Sequence, residues 1–208
     1  MMDCVNFYEL DMDDWGEILL KPLQGKRYPL AAEFEITERC NLGCVHCFIN
    51  QPAGSHVQLE RELGTEQIKE ILDQIADAGC LHLLLTGGEP LLRRDFAEIF
   101  LHARHKGMLV MLFTNATLVT PAVIETLKQA PPILVEISLY GASRETYEAV
   151  TRVPGSWERF NHGLRLLLES GLPLALKSVI LQKNKYELPM MQKFAADRGL
   201  RYRYDGSI

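Results

Sequence analysis

The sequence predicts an α/β protein with a partial (β/α)6 TIM-like barrel, in which parallel strands lie inside and helices lie outside. From Leu30 onward, short apolar runs alternate with segments of helical hydrophobic period, a pattern typical of repeated β/α units. The 208 residues also leave room for about one domain of ordinary size. We therefore expect a core domain over residues 30–208, preceded by an N-terminal extension over residues 1–29 that fits no β/α unit.

Six apolar runs are predicted to form the strands, at residues 30–37, 81–85, 108–113, 133–139, 174–181 and 201–204. Six amphipathic segments are predicted to form the helices, at residues 65–78, 93–106, 121–129, 143–150, 157–170 and 185–199. Thr65 is expected to be an N-cap, and Thr120 stands before Pro121, a favoured first helical residue. The sequence stops just after the sixth strand, so either the last sheet edge is open or the sequence is a piece of a longer protein.

Charge and hydropathy argue against two classes of partner. The formal net charge is -5 and no long run of Lys and Arg occurs, so a nucleic-acid partner is not expected. The N-terminus is acidic and lacks the basic and apolar regions of a secretory signal, and no apolar stretch reaches the roughly 18 residues of a membrane span. We expect a cytoplasmic protein with no membrane partner.

Three of the five cysteines fall within one short stretch directly after the first predicted strand. Cys40, Cys44 and Cys47 have CX3CX2C spacing, which in a reducing compartment favours metal binding over disulfides. Three thiolates on one loop can bind three corners of a cubane iron–sulfur cluster and leave one iron open to a cofactor. A zinc site or a simple electron-carrier cluster is the alternative, but zinc usually needs a fourth ligand. Cys80 is expected in the core at the opposite end of the barrel, and Cys4 as a terminal thiol.

A second motif, Gly87-Gly88-Glu89, follows the second predicted strand about 40 residues beyond the cysteines. Two glycines let the backbone approach a ligand closely, and a carboxylate can accept hydrogen bonds from an ammonium group. Alone, such a segment is typical of an ordinary turn between a strand and a helix. Its place after the cysteine motif favours cofactor binding instead.

Together these motifs resemble those of the radical S-adenosylmethionine superfamily, over about residues 30–206, and most closely its peptide-modifying members that usually carry a SPASM domain. The resemblance implies that the three cysteines hold a 4Fe-4S cluster. The residues that it implies for S-adenosylmethionine binding are His46, Gly87, Gly88, Glu89, Asn115, Ser138 and Arg152. The Glu89 carboxylate is expected to point across the barrel mouth toward the cofactor. No cysteine follows Cys80, so the sequence does not include the cysteine-rich SPASM segment.

The resemblance also implies an activity. A reduced cluster would cleave S-adenosylmethionine to a 5'-deoxyadenosyl radical that abstracts a substrate hydrogen, in oxidoreductase or lyase-type chemistry. It implies an external one-electron reductant such as flavodoxin or ferredoxin. Because a partial barrel with a lateral opening could admit a bulky substrate, we expect a peptide or protein substrate and a maturation reaction. An enzyme of small-molecule cofactor biosynthesis and a non-catalytic Fe-S binding module are the alternatives.

Overall fold

The computed structural model describes residues 21, 25, 27–49 and 51–206. The strands are β1 (Ala31–Glu35), β2 (Arg39–Cys40), β3 (Gln51–Pro52), β4 (His82–Thr86), β5 (Leu109–Thr114), β6 (Leu134–Ser138), β7 (Leu174–Val179) and β8 (Arg201–Asp205). The α-helices are α1 (His56–Arg61), α2 (Thr65–Asp77), α3 (Phe96–His105), α4 (Pro121–Gln129), α5 (Arg144–Thr151), α6 (Ser156–Ser170) and α7 (Leu188–Ala196).

Six of the strands form one parallel sheet in the order β1-β4-β5-β6-β7-β8. Each strand pairs with the next sheet strand along the chain, as expected for successive β/α units. Within the described residues β1 and β8 are the two edges and do not pair with each other, so the sheet is an open, partial barrel. The predicted fold class and all six predicted strands are confirmed, each with its ends within two residues of the prediction.

The hydrophobic core lies between the outer face of the sheet and the helices. Val110 and Leu112 of β5 are fully buried on that face and belong to the same cluster as Phe100 of α3 and Phe160 of α6. Because side chains alternate along a strand, the intervening Phe113 lies on the inner face, where it is only partly buried. The helices therefore cover one face of the sheet and leave the other to form a cavity.

Two predicted helix starts are tested by the observed caps. Thr120 is the N-cap of α4, and its side chain accepts a hydrogen bond from Val123 N at 3.3 Å, as predicted. The N-cap prediction for Thr65 is wrong, because Gly64 occupies that position. Thr65 is the first helical residue, and its hydroxyl donates to Asp95 Oδ2 at 2.7 Å.

Two other predicted helices are shorter than expected. Residues 93–95 are not part of α3, because Pro90–Leu92 forms a 3-10 turn and Arg93 leaves it with extended backbone. The predicted helix at residues 185–199 divides into a 3-10 turn, Lys185–Glu187, and α7. In both places a 3-10 turn precedes the α-helix. The spacing of apolar residues in the sequence does not distinguish such a turn from the first residues of the helix.

Helix α1 and the short parallel pair of β2 with β3 were not predicted. Helix α1 buries none of its residues, so it has no apolar stripe that would identify it. Most of the predicted N-terminal extension, including Cys4, lies outside the described residues, and that prediction is untested. In the described residues, none of the helices combines the length and apolar composition needed to span a membrane.

Candidate cofactor site

A cavity of about 350 Å³ lies at the carboxyl ends of the strands. These ends meet at one edge because the strands are parallel, and this is the edge where β/α barrels build their active sites. The volume is at the small end of the range of about 300 to 1,000 Å³ found for small-molecule sites. The predicted site residues that line the cavity are Cys40, Cys44, His46, Cys47, Gly87, Gly88, Asn115 and Ser138.

The cysteine loop is fastened to the end of α5 by its backbone. Gly43 N donates to Thr151 O at 2.9 Å, and Val45 N donates to Val150 O at 2.9 Å. These two bonds satisfy carbonyl groups that a helix end leaves without intrahelical partners. The two bonds therefore fix the position of the cysteine loop relative to the end of α5.

An ion pair holds the segment that leads into this loop. Arg39 donates to Glu62 through Nε at 2.8 Å and through a terminal nitrogen at 3.0 Å, and it also donates to Ala53 O at 2.9 Å. Thr37 Oγ1 donates to the same Glu62 carboxylate. Burial alone would raise the pKa of Glu62, but hydrogen bonds from Arg39 and Thr37 lower it below its ordinary value. An ionised Glu62 thus ties the exit of β1 to the segment after α1.

Gly87 and Gly88 pack directly on the backbone of this same segment. Gly88 N donates to Thr37 O at 2.7 Å, and Glu89 N donates to Arg39 O at 2.9 Å. A Cβ atom on Gly87 would lie 2.3 Å from Thr37 O, and one on Gly88 would lie 2.4 Å from Arg39 O. The two glycines are therefore required for contact with the chain that carries the cysteines, in addition to lining the cavity.

The Glu89 carboxylate does not reach the cavity, contrary to the sequence-based expectation. It is completely buried, and it accepts hydrogen bonds from Leu91 N at 3.1 Å, Thr114 Oγ1 at 2.8 Å and Asn115 N at 2.7 Å. Burial raises the pKa of Glu89 to about 7, although these hydrogen bonds oppose the shift. The side chain joins the turn after β4 to the end of β5.

Asn115 belongs to a closed ring of hydrogen bonds with two other side chains. Its Nδ2 donates to Asn41 Oδ1 at 3.0 Å, and Asn41 Nδ2 donates to Thr117 Oγ1 at 2.7 Å. Thr117 Oγ1 donates in turn to Asn115 Oδ1 at 2.6 Å. Nδ2 of Asn115 also lies 3.7 Å from Cys40 Sγ, within the range of an N–H···S hydrogen bond.

Arg152 is the second predicted cofactor residue whose side chain is not in the cavity lining. It is the C-cap of α5, has left-handed backbone with a φ of 59°, and is exposed. Its Cβ lies beside Gly43, about 4.0 Å from where a Cβ on that glycine would be. It ends the helix whose Val150 and Thr151 carbonyls bond the cysteine loop, and a contact of its side chain with the cofactor stays a prediction.

The three thiols suit an iron–sulfur cluster by their chemistry and position. Burial raises the pKa of Cys40 to about 11 and that of Cys44 to about 12, so these thiols hold their protons until a metal displaces them. Among the described residues, no three His, Cys, Asp or Glu side chains are arranged to hold a single metal ion. A cubane cluster would not need three ligands on one ion, because each of the three cysteines would bind a different iron.

An aromatic pair borders the cysteines. The rings of His46 and Tyr140 are 5.2 Å apart, and the Tyr140 side chain also interacts with the Cys44 thiol. Burial lowers the pKa of His46, and its Nδ1 is buried with no hydrogen-bond partner in the described part of the chain. The sequence placed Tyr140 in the segment that follows the fourth predicted strand but gave its side chain no role, although its position two residues after Ser138 was a usable signal.

The cavity is electrically polarised, which the sequence analysis also missed. Glu33 and Glu35 of β1 line one side and Lys177 of β7 lines another. Burial, followed by repulsion from Glu33 and Glu38, raises the pKa of Glu35. Lys177 Nζ lies 3.0 Å from Asp205 Oδ2. Side chains alternate between the two faces of a strand, so Glu33 and Glu35 lie on the same face of β1. This spacing in the sequence could have identified them as two carboxylates that line the cavity.

Comparison with known proteins identifies one family and two kinds of relative. The family model described as "Radical SAM superfamily" matches residues 34–193. An AdoMet-dependent heme synthase from Methanosarcina barkeri is 34% identical over 175 residues, which are 82% of this chain and 48% of the relative. A PqqA peptide cyclase from Granulibacter bethesdensis is 32% identical over 174 residues, which are 82% of this chain and 45% of the relative.

Among solved structures, SuiB from Streptococcus suis superposes with a TM-score of 0.74 at 18% identity, covering 99% of this chain and 48% of SuiB. At that identity the likeness shows a shared fold. SuiB has also been solved bound to S-adenosylmethionine and bound to its precursor peptide SuiA. This chain spans about half the length of the curated relatives that it matches.

Proposed function

The chain belongs to the radical SAM superfamily, and we propose that it is the core of an enzyme that binds a 4Fe-4S cluster and S-adenosylmethionine in the cavity at the strand ends. The observation that carries the proposal is that all three cysteines line the same cavity as Gly87, Gly88 and Ser138. When bound, the two groups supply one-electron cleavage of a carbon–sulfur bond and abstraction of a hydrogen atom.

The role of the cysteine loop in this proposal is to present three thiolates from a rigid support. Cys40, Cys44 and Cys47 would hold the cluster with one thiolate on each of three irons, which would leave the fourth iron open to the cofactor. The backbone bonds from Gly43 and Val45 to the end of α5 hold the loop in place. Preorganisation of this kind reduces the entropy lost when the cluster binds.

The role of the remaining cavity residues is to hold S-adenosylmethionine. Gly87 and Gly88 offer bare backbone at the wall, Ser138 offers a hydroxyl, and His46 offers a ring face. Glu89 and Arg152 act from outside the cavity. Glu89 fixes the end of β5, and Arg152 ends the helix that supports the cysteine loop.

For the substrate, we propose a peptide or protein that undergoes maturation in the cytoplasm, with flavodoxin or ferredoxin as the reductant. The names of two similar proteins support a peptide substrate. One is a PqqA peptide cyclase, and the other is SuiB, which has been solved bound to precursor peptide SuiA. The open sheet supports it as well, because a partial barrel leaves a lateral entrance. A small-molecule reaction is the second candidate, favoured by the 34% identity to an AdoMet-dependent heme synthase.

Cleavage of S-adenosylmethionine tests the activity. Protein reconstituted anaerobically with iron and sulfide is incubated with dithionite and S-adenosylmethionine, and 5'-deoxyadenosine is quantified by chromatography. We expect formation of 5'-deoxyadenosine by the wild type and by Cys80→Ala, and none by Cys44→Ala. A loaded cluster that yields no 5'-deoxyadenosine would instead support a non-catalytic Fe-S module.

Stimulation of this cleavage separates the two substrate classes. Short peptides encoded beside the gene and porphyrins, the class of compound that the name of the heme synthase points to, are added in parallel reactions, and each is followed by mass spectrometry for a product. We expect a peptide to raise the rate and to emerge modified. Turnover of the tetrapyrrole with no effect of any peptide would favour the second candidate.

A further inference from the structure

Asn115 was expected to contact S-adenosylmethionine, but its side chain has no hydrogen-bonding capacity left for it. An asparagine amide has two N–H donors and an oxygen with two lone pairs. Nδ2 donates to Asn41 Oδ1 at 3.0 Å and lies 3.7 Å from Cys40 Sγ. Oδ1 accepts from Thr117 N at 2.9 Å and from Thr117 Oγ1 at 2.6 Å. All four positions are therefore used by the protein itself.

The ring of side chains also fixes which end of the amide faces the sulfur. The Thr117 backbone N–H can only donate, so the group that faces it must be the Asn115 oxygen. The Asn115 nitrogen consequently faces Cys40. A flipped amide would lose the bonds from Thr117 and would place an oxygen against the thiolate.

The backbone of Asn115 is held equally firmly. Its N–H donates to the buried Glu89 carboxylate at 2.7 Å, and only 5% of the residue is exposed. The following Ala116 has left-handed backbone with a φ of 62°, and its carbonyl packs against Gly163 of α6. The amide is therefore a preorganised donor at a cluster ligand.

We propose that the side-chain amide of Asn115 donates a hydrogen bond to the Cys40 sulfur that raises the reduction potential of the bound cluster. The inference rests on the proposed cluster site. Reduction adds one electron, which is spread over the iron atoms and their thiolates, so a donor at sulfur stabilises the reduced state more than the oxidised state. Hydrogen bonds to the sulfurs are one of the factors that set the potentials of such clusters.

The test is an EPR-monitored redox titration of the reconstituted full chain, without S-adenosylmethionine. Asn115→Leu removes the donor and adds no charge, and we expect its reduced-to-oxidised ratio at a fixed potential to fall about tenfold. That change corresponds to a midpoint lower by about 59 mV for a one-electron couple. Asn115→Asp should lower the midpoint further, because a carboxylate then faces the sulfur. Asn161→Leu on α6, whose amide bonds only Trp157 O among the described residues, is the matched control and should titrate as wild type.

A second measurement needs no variant. Wild-type protein labelled with ¹⁵N at the asparagine side chains should show a ¹⁵N coupling to the reduced cluster by pulsed EPR. An unchanged midpoint in a fully loaded Asn115→Leu protein would overturn the inference, and if that variant does not load, absence of the ¹⁵N coupling would overturn it. Failure of the wild type to load a cluster would instead overturn the proposed function.

Discussion

The Glu89 carboxylate is completely buried and is surrounded by hydrogen-bond donors. Leu91 N, Thr114 Oγ1 and Asn115 N each donate to it. A carboxylate in this setting serves as a positioning group, because its bonds determine where the end of β5 lies. The free-energy cost of burying the charge appears as the raised pKa of about 7.

This pKa makes a prediction about the pH dependence of stability. The unfolded chain has the ordinary value of 4.5, so between pH 4.5 and about 7 the folded protein binds the extra proton. Stability from this group is fully present below pH 4.5 and is lost as the pH rises through 7. From pH 5 to pH 8 we expect the free energy of unfolding of the wild type to fall by about 2 to 3 kcal/mol more than that of Glu89→Gln, which cannot titrate.

Urea unfolding of the apoprotein at both pH values measures this difference. His46 and the other titrating groups are present in both proteins, so they cancel in the comparison. Glu89→Gln should also be less stable at every pH, because its amide N–H groups face at least one donor. Parallel pH profiles for the two proteins would show that Glu89 does not titrate in this range.

For single residues, the sequence predicted where the motifs lie in the fold better than it predicted which atoms their side chains contact. The spacing of Cys40, Cys44 and Cys47 was enough to place three thiols on one loop, and in the structure all three residues line one cavity. The direction of Glu89 could not be predicted in this way. It depends on Thr114 and Asn115, which lie 25 and 26 residues away and approach only when β5 pairs with β4.

Helix α6 packs closely against the loop after β5 at one glycine, Gly163. A Cβ atom on Gly163 would lie only 1.9 Å from Ala116 O and 3.2 Å from Val119 Cβ. Glycine in a helix interior normally costs about 1 kcal/mol relative to alanine. Here it allows α6 to lie directly against the loop that carries Asn115, and this contact outweighs the helix propensity.

Replacing this glycine by alanine should therefore be destabilising, although helix propensity alone predicts the opposite. Backbone atoms cannot yield as a flexible side chain can, so we expect Gly163→Ala to lower the free energy of unfolding by about 2 kcal/mol or more. Urea unfolding measures it. Gly54→Ala, where a Cβ would meet nothing within 4 Å, is the control and should change stability little. A Gly163→Ala protein as stable as wild type would mean that α6 can move away from the loop without cost.

The elements themselves differed in how well the sequence predicted them. The main strands were predicted because both their apolar content and the helices between them are visible in the sequence. Helix α1 was missed because it spans only His56–Arg61 and buries nothing. Its contribution to the fold is to position Glu62, the next residue, which pairs with Arg39 ahead of the cysteines. That contact joins residues 23 apart and has no local signature.

The parallel sheet gives the whole molecule two different ends. The cysteine loop follows the carboxyl end of β1, whereas Cys80 precedes the amino end of β4, where His82 pairs with Ala31. Five residues of β1 at about 3.3 Å each separate the two ends by about 16 Å. Cys80 Sγ donates to His82 O at 3.2 Å, and the residue is buried. Its environment is that of a core residue, as predicted.

The last prediction is that the full chain loads one 4Fe-4S cluster, with about four iron atoms per chain, because one loop supplies three thiolates and a further cluster would need its own set. Iron and sulfide analysis after anaerobic reconstitution measures the content. Cys40→Ala, Cys44→Ala and Cys47→Ala should each lose the cluster, whereas Cys80→Ala and Cys4→Ala should keep it. Circular dichroism on each variant separates loss of the cluster from loss of the fold. A folded Cys80→Ala protein without iron would contradict the placement of Cys80 at the opposite end of the sheet from the cysteine loop. About eight iron atoms per chain would require thiolates beyond the cysteine loop.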